Sequence, residues 1–427
     1  NLRGLAYNAK GEGDRAIADF DQALRIDPKF AAALSNRGDA FQKKHDYARA
    51  IADFDQAIKA NPGFAGAWLS RGLAERDKRD CQKAIADFSQ ALKLDAKNAD
   101  AYNARGACYA SLNDDDHAFQ DFDAALTLRP NFGAAYFNRG MANYERHDYD
   151  HAVADLTQAM RLDPRDIAAA HARGMAYRER HDYDRAVADF DTALKLDPKF
   201  TAGYVDRGNA YQHKGDYDRA VHDYDQAIKL DPKNASAFTE RGNTYALRGK
   251  IDRALQDYEQ AIKFNPNYAG VFNSRAMLWK RKGDLTRAIA DLDAAVKLDP
   301  NFAVALNNRG AIYQQKGDLD RAIADFDRAL KINPNLSAAY FNRGNAYLQK
   351  KEVDRAIASY DQAIRLNPKD ALAYFDRGVA HYQRGDYDRA ALDFDQSIKL
   401  DGKNASAWYN RGVAWHEKSD DQRAVAR

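Results

Sequence analysis

Cysteine is nearly absent, with only Cys81 and Cys108 in a chain of 427 residues. Two thiols are too few for a disulfide-stapled scaffold or a four-cysteine zinc site, and they fit a reducing compartment. Charge of one sign is absent as well: 65 Lys and Arg stand against 63 Asp and Glu, leaving +2. There is thus no global basic field of the kind that phosphate backbones attract, and nucleic acid is not an expected partner. No apolar run approaches the roughly 18 residues of a membrane span. The opening NLRGLAYNAK has no apolar h-region before a cleavage site, so no targeting signal is read there. What the chain does have is 45% hydrophobic and 11% aromatic residues, too many for disorder. A folded core is expected, and a length prior of about 150 residues per domain suggests three domains.

Internal repetition overrides that prior. Thirteen arginines fall 34 residues apart from Arg3 to Arg411, and all but Arg275, which precedes Ala276, are followed by glycine. The ten prolines keep the same period from Pro28 to Pro368, with Ala96 and Gly402 in register at the two vacant places. Within one unit, TAGYVDRGNAYQHKGDYDRAVHDYDQAIKLDPKN, apolar residues recur at helical spacing in two stretches. The first ends near Gly215, a left-handed C-cap, after which Asp216 or Asp218 can accept hydrogen bonds from the next N-terminus. The second, with Ala220, Tyr224, Ala227 and Ile228, stops at Asp231-Pro232. Each unit is therefore predicted to be a helical hairpin. Small residues recur where the helices would meet closely: the glycine after each arginine, a column from Ala16 to Ala424, and another from Ala23 to Ser397.

In the unit that starts at Ala31, Leu34, Gly38, Phe41, Ala50, Phe54, Ala57 and Pro62 stand at the signature positions of a known pattern. The chain resembles the tetratricopeptide repeat (TPR) family along its whole length. The likeness implies an all-α fold, a right-handed superhelical solenoid of stacked antiparallel hairpins. Residues 1–30 then form a partial repeat, 31–404 eleven complete repeats and 405–427 a second partial repeat. Arg stands where the family has Leu before the glycine. Glu75 and Asn143 replace the first-helix aromatic, and their units are expected to pack less firmly. Solenoids normally end in polar capping units, so the two cut hairpins and the missing initiator Met suggest a region of a longer protein.

The residue chemistry points away from catalysis. From Arg3 to Arg377 an Asp lies sixteen residues after every repeat arginine but one, with Ser359 the exception. Such a pair ties together the helices of one unit, or neighbouring units. Asp225–Lys229, Asp327–Lys331 and Asp395–Lys399 have the spacing of exposed i,i+4 pairs. His147 and His181, with His151 and His171 between them, occupy the same turn position of the repeat as His45, so their spacing is read as the repeat's and no metal site is expected. Cys81 and Cys108 read as small buried hydrophobes. No nucleophile triad, P-loop or dinucleotide fingerprint occurs, so no cofactor is expected and the segment is read as not an enzyme.

The variable positions carry the functional reading. In the family, the first helix of each hairpin lines a concave wall that contacts ligands. Transferred here, that wall carries Asn209, Asn243, Asn273, Asn307, Asn308, Asn342 and Asn345, with Gln314, Gln315, Gln349 and Gln383 nearby. Phe341, Phe375, Tyr382 and Tyr409 add aromatic surface. A carboxamide can donate to and accept from a peptide backbone at once. The series is similar to the asparagine ladders of some family members, interrupted by Asp206, Glu240 and Asp376. A carboxylate clamp for an acidic C-terminal tail is not expected, because no three consecutive units supply its Lys, Asn and Arg set. The leading expectation is a non-catalytic protein-interaction scaffold that takes an extended or helical peptide in the groove. A substrate-recruiting arm of a larger enzyme and an element that self-associates through uncapped ends are the two alternatives. Motifs such as GDYDRA and ADFDQAI resemble bacterial members, which implies cytoplasm first and periplasm second.

Overall fold

The computed structural model describes residues 1–425, with side chains described through Ser419. Twenty-five helices and no strand occur among the described residues. One compact unit is Asn1–Asp223 and the other is Tyr224–Arg427. The first holds α1 (Leu2–Ala9), α2 (Gly13–Ile26), α3 (Ala31–Lys43), α4 (Tyr47–Ala60), α5 (Ala65–Asp77), α6 (Cys81–Leu94), α7 (Ala99–Ser111), α8 (Asp115–Leu128), α9 (Gly133–Glu145), α10 (Tyr149–Leu162), α11 (Ile167–Glu179), α12 (Tyr183–Leu196) and α13 (Thr201–His213). After α14 (Tyr217–Leu230), the second holds α15 (Ala235–Leu247), α16 (Ile251–Phe264), α17 (Ala269–Arg281), α18 (Leu285–Leu298), α19 (Ala303–Gln315), α20 (Leu319–Ile332), α21 (Ser337–Gln349), α22 (Val353–Leu366), α23 (Ala371–Gln383), α24 (Tyr387–Leu400) and α25 (Ala405–Val425).

Each hairpin turns where the sequence places its punctuation. Backbone φ is positive at twelve positions spaced 34 apart, from Gly11 to Gly385. Six are glycines and six are His45, Arg79, Asn113, His147, His181 and Lys351, with φ between 60° and 67°. The next residue is usually an Asp that caps the following helix; Asp216 takes the role at its turn by accepting from the Arg219 N–H at 3.2 Å. Ser419 stands at the thirteenth turn position, but α25 continues through it.

The core repeats with the sequence. Ala16, Ala50, Ala84 and their successors are fully buried, as are Phe20, Phe54, Phe88, Phe122 and Phe190. Each of these rings presses on the glycine sixteen residues earlier. A Cβ on Gly174 would lie 2.7 Å from Phe190 Cε1, which no side chain tolerates. Where Ala276 replaces that glycine, its partner is the smaller, non-planar Leu292. Asn143 is buried and donates to Asp155 at 3.3 Å, whereas the buried Glu75 keeps one oxygen that no hydrogen bond reaches, with Lys78 Nζ 3.9 Å away. Ala424, the last of its column, and residues 426–427 of the expected terminal repeat lie outside the described side chains and residues respectively.

Candidate functional site

The repeat arginine takes both roles left open by its spacing. Arg37 donates through Nε and one Nη to Asp53 at 2.7 Å, within its own hairpin, and through the other Nη to Asp21 of the preceding hairpin at 2.6 Å. Arg71, Arg139 and Arg207 repeat this in the first unit, and Arg241, Arg309 and Arg377 in the second. Ser89, Thr157 and Ser359 supply a hydroxyl in place of one carboxylate. Asp225, Asp327 and Asp395 are held in this way by Arg241, Arg343 and Arg411. Among the described residues no ion pair joins them to Lys229, Lys331 and Lys399 as their i,i+4 spacing suggested; each instead accepts from one Nη of an arginine on the neighbouring helix.

The histidines of the hairpin turns are also accounted for. His45, His147 and His181 each place Nδ1 2.8 to 3.0 Å from the hydroxyl of the tyrosine two residues on, and His151 Nδ1 lies 2.8 Å from Asp148. Among the described residues, no group of three or more His, Cys, Asp or Glu could hold a metal ion, and no helix is long and apolar enough to cross a membrane.

The predicted peptide-binding residues divide into three groups. Asn209 lies in the first unit on α13, and the other ten lie in the second. Asn308 donates to Asn273 at 2.9 Å, and Asn342 donates to Asn307 at 3.0 Å. These bonds join first helices of consecutive hairpins, α17 to α19 and α19 to α21, through residues 35 apart. Asn243 and Asn345 point back into their own hairpins: their oxygens accept from the buried Tyr258 and Tyr360 hydroxyls at 2.7 and 2.6 Å. Burial pushes both phenols above their ordinary range, so they remain donors. The aromatic group is graded in exposure. Phe341 packs on Tyr360 and Phe375 on Phe394, with ring centroids 6.1 and 5.7 Å apart, and Tyr382 meets Tyr387 at 5.4 Å. Tyr409 is 72% exposed.

The lateral rule of one bond between residues 35 apart was not read from the sequence. The signal was present, since a polar residue at the fifth place of one unit faces one at the sixth place of the next. Asn36 to Asn1 and Asn138 to Asn103 obey it in the first unit. Asp206, which seemed to interrupt the series, fills the same slot by accepting from His171 at 2.7 Å and from Arg178 at 2.6 Å. Asp376 differs: the residue 35 before it is Phe341, and no hydrogen bond to it is found among the described residues. Burial, with a smaller push from Asp370, drives its carboxyl up to about 6. A cleft of about 570 Å³ lies off this face, between α16, α17 and α18, and is lined by Asp252, Arg275, Trp279, Lys282, Arg287 and Asp291. Its Arg275 and Asp291 are already paired as scaffold.

Comparison with known proteins places this geometry. Models described as "Tetratricopeptide repeat" match residues 35–88, 71–131, 341–404 and 375–426, then 235–268 and 303–336, and 133–166. A model described as "TPR repeat" matches 4–45, 174–215, 208–247 and 280–317. No curated protein matches the chain. Among solved structures, the Cut9–Hcn1 hetero-tetramer of the APC/C contains a chain 16% identical, with TM-score 0.50, covering 97% of this chain and 95% of that one. Yeast Tom70 is 18% identical with TM-score 0.44 over 98% and 95% of the two chains. YrrB, a TPR protein with an unusual peptide-binding site, is 25% identical with TM-score 0.37 over 43% of this chain and 95% of its own. Because matches of one kind run from residue 4 to residue 426 over hairpins that turn in the same register, the chain belongs to the tetratricopeptide repeat family.

Proposed function

We propose that the chain is a non-catalytic interaction scaffold whose first-helix face captures an extended or helical peptide segment of another protein. Membership of a family built from repeats that present binding surfaces supports the coarse reading. The observation that carries the finer one is the pair of amide links, Asn273–Asn308 and Asn307–Asn342. A carboxamide has two N–H donors and an oxygen with two lone pairs, so a single lateral bond fixes its orientation and leaves donor and acceptor capacity for a peptide backbone. Asn307 itself is 7% exposed, so it serves mainly to aim Asn342. Half-buried Phe341 and Phe375 and the exposed Tyr409 supply apolar anchors beside the amides.

A peptide-array screen of the chain tests the reading. Peptides bound by the unaltered protein are expected to lose about tenfold or more in affinity to the Asn307→Ala, Asn342→Ala double variant, the loss of one or two hydrogen bonds to a peptide backbone. Binding that this variant leaves untouched would place the peptide elsewhere.

A further inference from the structure

The two cysteines of the chain, 27 residues apart in sequence, meet in space. Cys81 Sγ lies 2.7 Å from Cys108 Sγ, and both are free thiols. Cys81 is the first residue of α6, the second helix of one hairpin, and Cys108 lies on α7, the first helix of the next. The surroundings hold them there: Leu69, Leu73, Ala84, Ile85, Phe88 and Ala104 pack into the same apolar cluster. The Ser111 hydroxyl sits 3.2 Å from Cys81 Sγ and donates to the Cys108 carbonyl at 2.7 Å. Cys108 is fully buried, whereas Cys81 is partly exposed. A disulfide needs about 2.0 Å between sulfurs, which is within reach of side-chain rotation alone.

We propose that Cys81 and Cys108 are an oxidisable dithiol that closes to an intramolecular disulfide, covalently joining consecutive hairpins. The co-reactant is a low-molecular-weight disulfide. The Cys81 thiolate attacks one sulfur of it, forming a mixed disulfide and releasing one small thiolate. Cys108 then gives up its proton to that released thiolate and attacks Cys81 Sγ, expelling the second small thiolate, which takes from water the proton that Cys81 had released. Two protein thiols are oxidised and one small disulfide is reduced to two thiols, so atoms and electrons balance. The order of attack follows exposure. Burial, reinforced by the adjacent Cys81, keeps the Cys108 thiol protonated well above its ordinary range, so the solvent-facing sulfur reacts first. The chain has no third cysteine to compete.

The test uses the full chain, equilibrated with oxidised and reduced glutathione, acid-quenched, alkylated and examined by intact mass and peptide mapping. The expected product is two hydrogens lighter, takes up no alkylating agent and yields one cross-linked peptide containing both cysteines. It should form at least roughly tenfold more readily in the native chain than in the same chain unfolded in urea, because the fold supplies the proximity. Cys108→Ala, which restores the residue found at the equivalent Ala74 and Ala142, should trap glutathione on Cys81. Three results on the unaltered chain would overturn the proposal without recourse to a variant: both thiols alkylated in the oxidised buffer, a lasting glutathione adduct on Cys81, or cross-linked dimers as the sole oxidised product.

Discussion

Asp376 shows how one residue's neighbours set its chemistry. Asn36, Asn138, Asp206, Asn308 and Asn342, also at the sixth place of a unit, find an amide, an imidazole or a guanidinium across the interface, but Asp376 meets the register position of Phe341. Its folded carboxyl therefore titrates at about 6, above the ordinary 3.8 of the unfolded chain. Between those values the unfolded form releases a proton that the folded form keeps, so stability falls as pH rises from about 4 to 6, and the full penalty persists above. Asp376→Asn is expected to raise the denaturation midpoint at pH 7.5 and to leave it unchanged below pH ~4. An equal shift at both pH values, read by urea titration, would show that burial of the charge is not the cause. The sequence marked Asp376 as a break in the asparagine series, and it could not show more. Whether a break is harmful depends on which residue of the adjacent helix lies alongside, and that register emerges only when hairpins are stacked. The contact between Cys81 and Cys108 was hidden for the same reason.

At the scale of helices, the arginine column separates two kinds of ion pair. Arg309 and Asp325 are 14% and 7% exposed at their side chains, whereas Asp293, the second partner of Arg309, is 53% exposed. Removing the guanidinium strands a buried carboxylate, while removing Asp293 leaves Arg309 bidentate on Asp325. Arg309→Met is expected to cost about 2–4 kcal/mol and Asp293→Asn less than about 1 kcal/mol. Chemical denaturation of the two variants side by side checks the ratio, and equal losses would contradict it. Helix boundaries were legible almost to the residue, because turn, cap and proline recur at fixed offsets and each hairpin repeats the lesson. The exception is α25, where the local signal at Ser419 matched the other turns and the chain nonetheless stays helical.

Within each compact unit, helices touch only those one or two places away in order. Stability is then a sum of repeats and their interfaces. Deleting residues 303–336 removes one whole period and joins Phe302 to Ser337, so the shortened chain should keep its helicity per residue and lose less than about 5 °C in its thermal midpoint. Deleting only 319–335 leaves α19 without the helix that covers Gly310 and should cost far more, as circular dichroism melts would show. Survival of both deletions alike would mean that hairpins are not the folding quantum. The all-α array of paired helices was legible at this scale, since the period of 34 specifies what packs on what. The first-helix face was legible only in part: the sequence showed which residues vary, whereas their mutual hydrogen bonds depend on side-chain direction.

The arginines that hold two acceptors bear on how such a chain can change over generations. Ser89, Thr157 and Ser359 each stand where an aspartate would be, and in each case the guanidinium retains its other carboxylate. A lesion at one acceptor is therefore absorbed locally. The lineage can drift through such substitutions while selection acts elsewhere, and the first-helix face is free to diversify over a frame that carries its own spare fastenings.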